Sequence, residues 1–218
     1  MRSNPRKFMD IDLILALVIL IFSVIAHEVA HGYAADALGD PTARLAGRLT
    51  LNPLPHIDLV GSVVIPILLV LSHSPVYFGL AKPVPYNPYN LKNQRWGEAM
   101  VAVAGSATNI FLALVFALMV RFGAGLPEPA VSVATTIAFI NLFLGLFNLL
   151  PFPPLDGFTA LRAALPWRFA SRLLEFEARV RDRGVLALVL FLLVFSYVLA
   201  APFSAFVFWL FTLLVGRV

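Results

Sequence analysis

Residues 11–38 read IDLILALVILIFSVIAHEVAHGYAADAL. The stretch is long and apolar enough to cross a bilayer, whose hydrocarbon core takes about 20 helical residues. Towards its C-terminal end it carries His27, Glu28 and His31. Ionisable groups at bilayer depth are costly and mark functional sites by default. Three of them within five positions need a partner, and a divalent cation supplies one. On a helix, His27 and His31 stand four residues apart on one face. Two imidazoles so placed can bind one zinc ion. Glu28 beside them can accept a proton from water that the zinc activates, which is the logic of an H-E-x-x-H pattern. The competing reading is a buried polar network that holds no metal.

The rest of the composition agrees with a membrane location. Of 218 residues 60% are hydrophobic and only 13% charged, and the mean hydropathy is +0.88. That leaves too little polar surface for a soluble domain of this size. The expected fold is an all-α polytopic membrane protein. Ile11–Leu38, Gly97–Arg121, Val131–Leu150 and Val185–Val215 are the long apolar runs, and Pro202 interrupts the last, which reads as two helices or as one strongly kinked helix. The count is therefore about five spanning helices, a three-helix catalytic core followed by a C-terminal pair. Leu59–Ser72 is shorter, contains Gly61 and Pro66, and reads as a re-entrant element. Around it, region 39–96 is rich in Pro, Gly and Asn, with short β-prone pieces at Leu49–Leu51 and Val76–Leu80. These would give a β-like edge at the membrane, able to pair with an unwound substrate strand.

One membrane domain accounts for residues 1–218. The catalytic core is 11–165, a cytoplasmic amphipathic connector occupies 166–184, and the C-terminal helices follow at 185–218. Leu161–Gly184 carries six Arg against three acidic residues. The basic start before an apolar run resembles a signal peptide, but the run is too long and no A-x-A site follows, so retention is expected. The chain has no cysteine, which excludes thiolate ligands and a cysteine nucleophile. Nothing points to nucleic acid, and nothing sets an oligomeric state.

Catalytic zinc usually has three protein ligands and one open position. His56, His73 and a few acids near apolar segments are candidates, and Asp156 stands out among them. It lies in NLLPFPPLDG, residues 148–157, where three prolines must end a helix. Gly157 permits close approach of backbone or substrate. The alternative for Asp156 is a helix-ending turn with a solvated carboxylate. His56 and Asp58, in PLPHID, fit either support of a ligand imidazole or a cap on a helix starting near Leu59, with Asp58 as N-cap.

HEVAH and NLLPFPPLDG together resemble the site-2 protease family of intramembrane zinc metalloproteases, in which two such motifs build one zinc site. Val103–Asn109, VAGSATN, is similar to the family's central element, with Ser106 where proline is usual. GRLTLNPLPHIDLVG looks like the compact prokaryotic branch. The resemblance spans about residues 11–165. It implies His27, His31 and Asp156 as ligands of one zinc ion per chain. It implies Glu28 as general base and proton shuttle, and Asn148 as a polar group near the scissile carbonyl. The implied reaction is peptide-bond hydrolysis inside transmembrane segments of membrane-protein substrates, so the partners are such a segment and the lipid bilayer. Different classes that would also bury His and Asp are a metal transporter or sensor and an inactive helix-binding scaffold. A transport site has no need of Glu28 beside the metal.

A shared zinc ion constrains topology. HEVAH lies near the end of the first helix and Asp156 just beyond the end of Val131–Leu150, so an even number of crossings must separate those ends. A spanning Leu59–Ser72 would make that number odd. With this segment re-entrant and two C-terminal spans, twelve Lys and Arg lie on the metal side and four on the other. The positive-inside rule then turns the site to the cytoplasm. The rival, with Leu59–Ser72 spanning, gives thirteen against three and is set aside on metal geometry. Compactness and the lack of a targeting segment favour a prokaryotic cell membrane.

Overall fold

The computed structural model describes residues 13–57 and 82–216. It is helical, with no strand among the described residues. The helices are α1 (Leu13–Ala37), α2 (Thr42–Leu45), α3 (Gln94–Phe122), α4 (Glu128–Asn148), α5 (Asp156–Ala164) and α6 (Trp167–Asp182). The last run joins α7 (Val185–Val194) to α8 (Ala200–Val215) through a π-helical turn, Phe195–Leu199. Short 3₁₀ turns lie at Leu54–His56 and Pro88–Asn90.

Helix α3 is the centre of the bundle and packs on α1, α4, α5 and α8. Its buried positions include Ala99, Ala102, Gly105, Ser106, Asn109, Ala113 and Ala117, a stripe of small residues at helical spacing. Without a hydrophobic drive between helices in lipid, small residues that let backbones approach are what holds such a bundle together. Gly145 of α4 shows the closeness, since a Cβ there would stand 2.8 Å from Ile110 and 3.0 Å from Ser106 O.

Helix ends follow local chemistry. Asn93 caps α3, its side-chain oxygen accepting the Trp96 N–H at 3.1 Å. After Asn148, prolines 151, 153 and 154 prevent continuation, and the chain turns back to begin α5 at Asp156.

Among the described residues, four helices are long and apolar enough to cross a membrane, with Val189–Val215 counted once. The protein is thus an all-α polytopic membrane protein, but the expected C-terminal pair is one continuous run. Pro202 lacks an N–H and its ring crowds the carbonyl four residues back, at Val198. Val198 lies in the π turn, and that widened turn takes up the misfit instead of a break. The far end confirms a single crossing. Arg121, at the end of α3, donates to Leu213 O at 3.1 Å and lies beside Gly216. Helices α3 and α8 therefore end at the same end of the bundle.

At the opposite end, the chain leaving α1 comes back to where it left. Lys92 N donates to Leu38 O at 3.0 Å, and Lys82 N donates to His56 O at 2.9 Å. The re-entrant reading of Leu59–Ser72 and the β reading of Val76–Leu80 lie outside the described residues. Their flanks His56 and Lys82 meet, as an even number of crossings requires. The expected β piece Leu49–Leu51 is irregular. Here Thr50 and Asn52 side chains accept local backbone N–H groups, and Pro53 and Pro55 have none to offer a ladder.

Asp40 ties this end together. It is fully buried. Its carboxylate accepts from Thr42 N and Oγ1, from Asn87 N at 2.6 Å and from Asn90 Nδ2 at 2.8 Å. Burial alone would raise its pKa, but these hydrogen bonds outweigh that and hold the carboxyl below its ordinary value.

Candidate metal centre

The sequence places His27 and His31 on one face of α1, and the fold brings Asp156, the first residue of α5, against them. Asp156 Oδ2 is 2.9 Å from His27 Nε2 and 3.3 Å from His31 Nε2. The two Nε2 atoms are 3.0 Å apart, with the rings at 88°. Gly157 makes the approach possible: a Cβ there would lie 2.1 Å from Leu149 O, so any side chain would push α5 off the turn that delivers Asp156.

These three residues could hold a metal ion, and the donor chemistry fits zinc. His31 Nδ1 lies 2.7 Å from Val101 O, a pure acceptor, so that nitrogen carries its proton. His27 Nδ1 lies 2.6 Å from Asn109 Oδ1, likewise an acceptor. A neutral imidazole with Nδ1 protonated presents a lone pair at Nε2. Asp156 Oδ2 is buried and satisfied by no hydrogen-bond donor. A carboxyl with its ordinary pKa of about 3.9 is an anion at neutral pH. Three electron-rich atoms thus converge at edges near the roughly 3.3 Å that ligands of a tetrahedral zinc span, given bonds of about 2.0–2.1 Å.

Gly105 supplies the space. A Cβ on it would stand 2.5 Å from His31 Nε2 and 2.7 Å from His27 Nε2. The central element of α3 therefore contributes an absence where the ligand atoms meet. Next to it, Ser106 is fully buried and its Oγ is unpartnered.

The other expected residues fall as follows. Glu28 is half-buried, and its Oε2 accepts the Val84 N–H at 2.9 Å. Val84 belongs to an irregular segment laid across α1, with its side chain in the space that Gly32 leaves open. Arg48, itself buried, fastens that segment by donating to Lys82 O at 2.8 Å and to Pro83 O. Asn148, the last residue of α4, donates to Leu144 O at 3.0 Å, as a helix-end amide does. His56 is buried and bonds Thr50 O at 2.9 Å. It supports neither ligand imidazole, whose Nδ1 atoms go to Asn109 and Val101. Asp58 lies outside the described residues.

Sequence reasoning missed Asn109, Asn141, Ser23 and Arg48. The first two are amides on otherwise apolar spanning helices, and that cost was the available signal.

Fold and site together define a class: a polytopic membrane protein with a two-histidine, one-carboxylate centre inside its helices. Comparison with known proteins narrows it. Residues 126–195 match the model of peptidase family M50. Among relatives named as putative zinc metalloproteases, YwhC of Bacillus subtilis (strain 168) is 34% identical over 201 residues, 88% of this chain and 83% of that protein. Rip3 of Mycobacterium tuberculosis is 42% identical over 92 residues, 41% of this chain and 23% of that protein. Rip2 of Mycolicibacterium smegmatis is 28% identical over 166 residues, 74% of this chain and 61% of that protein. No solved structure matches the chain. The chain belongs to peptidase family M50, the site-2 protease family, and is a membrane metalloprotease with zinc as its cofactor.

Proposed function

We propose that the protein is an intramembrane endopeptidase that hydrolyses peptide bonds within transmembrane segments of other membrane proteins. The observation that carries this reading is the depth of the converging donors. His27 lies ten residues before the end of α1, about 15 Å inside the helix at 1.5 Å per residue. A bond cut there belongs to a segment that has itself entered the membrane.

His27, His31 and Asp156 would hold the zinc, which when bound would supply Lewis acidity and make water acidic enough to react at neutral pH. Glu28 takes the proton from the attacking water and returns it to the leaving amine. The Val84 N–H fixes one oxygen of Glu28, so the carboxylate is oriented before substrate arrives. Asn148 uses one amide hydrogen on Leu144 O and keeps the other for the scissile carbonyl. The substrate segment must unwind first, because an intact helix hides its peptide groups in its own hydrogen bonds. The site faces the cytoplasm. The excess of Lys and Arg expected on the metal side supports that orientation.

The test pairs zinc content with cleavage of transmembrane peptides in detergent. Wild type holds about one zinc per chain and cuts. Glu28→Gln keeps the zinc and cuts about 10²- to 10⁴-fold more slowly. Cleavage by Glu28→Gln at the wild-type rate removes the general base and with it the mechanism. A cytoplasmic reporter at Met1 would reverse the orientation.

A further inference from the structure

His27 owes its orientation to a polar chain that runs through the interior of all three core helices. Its members are nearly inaccessible: Ser23 4%, His27 6%, Asn109 0% and Asn141 1% exposed. Every link has a defined sense. Ser23 Oγ donates to Ile19 O at 2.8 Å, the carbonyl one turn back. Asn141 Nδ2 donates to that same Oγ at 2.9 Å and to Ile137 O at 2.9 Å, which uses both its hydrogens. Its Oδ1 is thereby free to accept, and it accepts from Asn109 Nδ2 at 2.8 Å. The second Asn109 hydrogen goes to Ser23 O at 3.2 Å. Both Asn109 donors being spent, only its oxygen can face His27 Nδ1.

We infer that Ser23 and Asn141 are positioning residues for the metal centre: through Asn109 they hold His27 with Nδ1 protonated and its Nε2 lone pair aimed at the ion. The argument is one of amide orientation. Turning Asn109 over would set its NH₂ against the His27 Nδ1–H and its oxygen against Asn141 Oδ1 and Ser23 O. Donor would then face donor and acceptor face acceptor among groups that are nearly inaccessible, which is costly. Without Asn141 the amide loses the acceptor that fixes it. The turned form then pairs with the other tautomer of His27, which carries a proton on Nε2 and cannot offer that nitrogen to the ion. Outer partners of ligand imidazoles tune affinity by about 10- to 100-fold in other metal sites. Here the effect travels one residue further out, to groups that touch no ligand.

The inference rests on the zinc site proposed above, so its test reads the metal rather than proteolysis. Zinc affinity is measured on the full chain in detergent by chelator competition, with the thermal midpoint of the metal-free protein alongside. Asn141→Leu is expected to bind zinc about tenfold more weakly or worse, and Ser23→Ala more weakly by a smaller factor. Ser23→Thr keeps the hydroxyl, and a cavity of about 300 Å³ beside Ser23 has room for the methyl, so affinity returns to within about twofold of wild type. The cobalt-loaded proteins give a second reading: the visible bands shift or broaden in Asn141→Leu and not in Ser23→Thr. Unchanged affinity in both Asn141→Leu and Ser23→Ala, whatever happens to the midpoint, overturns the inference and leaves the network structural. Equal weakening by Ala and Thr at position 23 overturns it too, because the hydroxyl would then not be what acts. If wild type binds zinc yet cuts no transmembrane peptide, the functional reading fails while the order of affinities still decides this one.

Discussion

Helices α3 and α4 take part in two different interiors, one with α1 and one with α8. Towards the metal end, the buried faces of α1, α3 and α4 carry Ser23, His27, Ser106, Asn109 and Asn141. In the other half of the interior α8 packs on α3 and α4 through Ala113, Leu142 and Val207, then, further from the metal, through Ala117, Ala138 and Val215. Phe139, Phe143, Phe203 and Phe211 fill around them. In lipid an apolar side chain gains little by leaving the hydrocarbon, so the far half is held by dispersion and close fit. In the near half a misplaced helix would orphan several hydrogen-bonding groups at once, each costly without water. The near half therefore sets register and ligand geometry, and the far half sets only cohesion. Substitutions in the near half should show in metal binding before stability. In the far half the order should reverse.

The largest effect is expected at Gly105. Valine there puts carbon where the ligand nitrogens meet, and zinc affinity should fall by at least about 100-fold, beyond the usual loss from outer partners. The helices themselves should persist, since valine has better helix propensity than glycine, but the contact between α1 and α3 must shift to admit the side chain. The check is zinc per chain together with the helical circular dichroism signal. Stoichiometric zinc in folded Gly105→Val would break the distinction between the two halves at its strongest point.

How much of this was legible beforehand follows the same division. HEVAH and Asp156 could be read because charge at bilayer depth and three clustered prolines are rare enough to need explaining. The common direction of α1 and α4 followed from the metal. Asn109 and Asn141 sent the same kind of signal more faintly, since a single amide amid apolar neighbours has many bland explanations. Which partner each would find depends on the rotation of α3 against α4, and no local pattern states that. Gly105 is harder still: a glycine in a small-residue stripe looks like packing, and only coordinates show that its missing Cβ would fall on the ligand atoms. The C-terminal run misled for a local reason. Pro202 normally marks a break, and nothing in FSYVL announces a π turn able to take up the misfit.

The ends of the near half offer an intermediate test. Asp40→Ala leaves the Asn87 N–H and the Asn90 amide without their acceptor, and should cost about 3 kcal/mol. Chemical denaturation in detergent measures this. The segment so loosened also carries Val84, so cleavage should fall with zinc retained. The pH dependence has a definite sign. Asp40 has a folded-state pKa below its unfolded value of about 3.9, so its contribution is present above that pH and is lost as pH falls through the folded value. Asp40→Asn should therefore be less stable than wild type at pH 7, and the gap should narrow below about pH 4.

Val207→Ala probes the far half and should give the smallest effect. Val207 is fully buried against Ala113 and Leu142. In a soluble protein its truncation would lose both a transfer term and a cavity term. Here the transfer term nearly vanishes, because the reference environment is also hydrocarbon, and what remains is lost dispersion on the lining, about 1 kcal/mol. Zinc affinity should stay within about twofold of wild type, in contrast to the fall expected for Asn141→Leu. Measured side by side, the two variants separate cohesion from ligand geometry. If Val207→Ala weakened zinc as much as Asn141→Leu, the bundle would transmit any loosening to the metal, and the polar chain would lose its special standing.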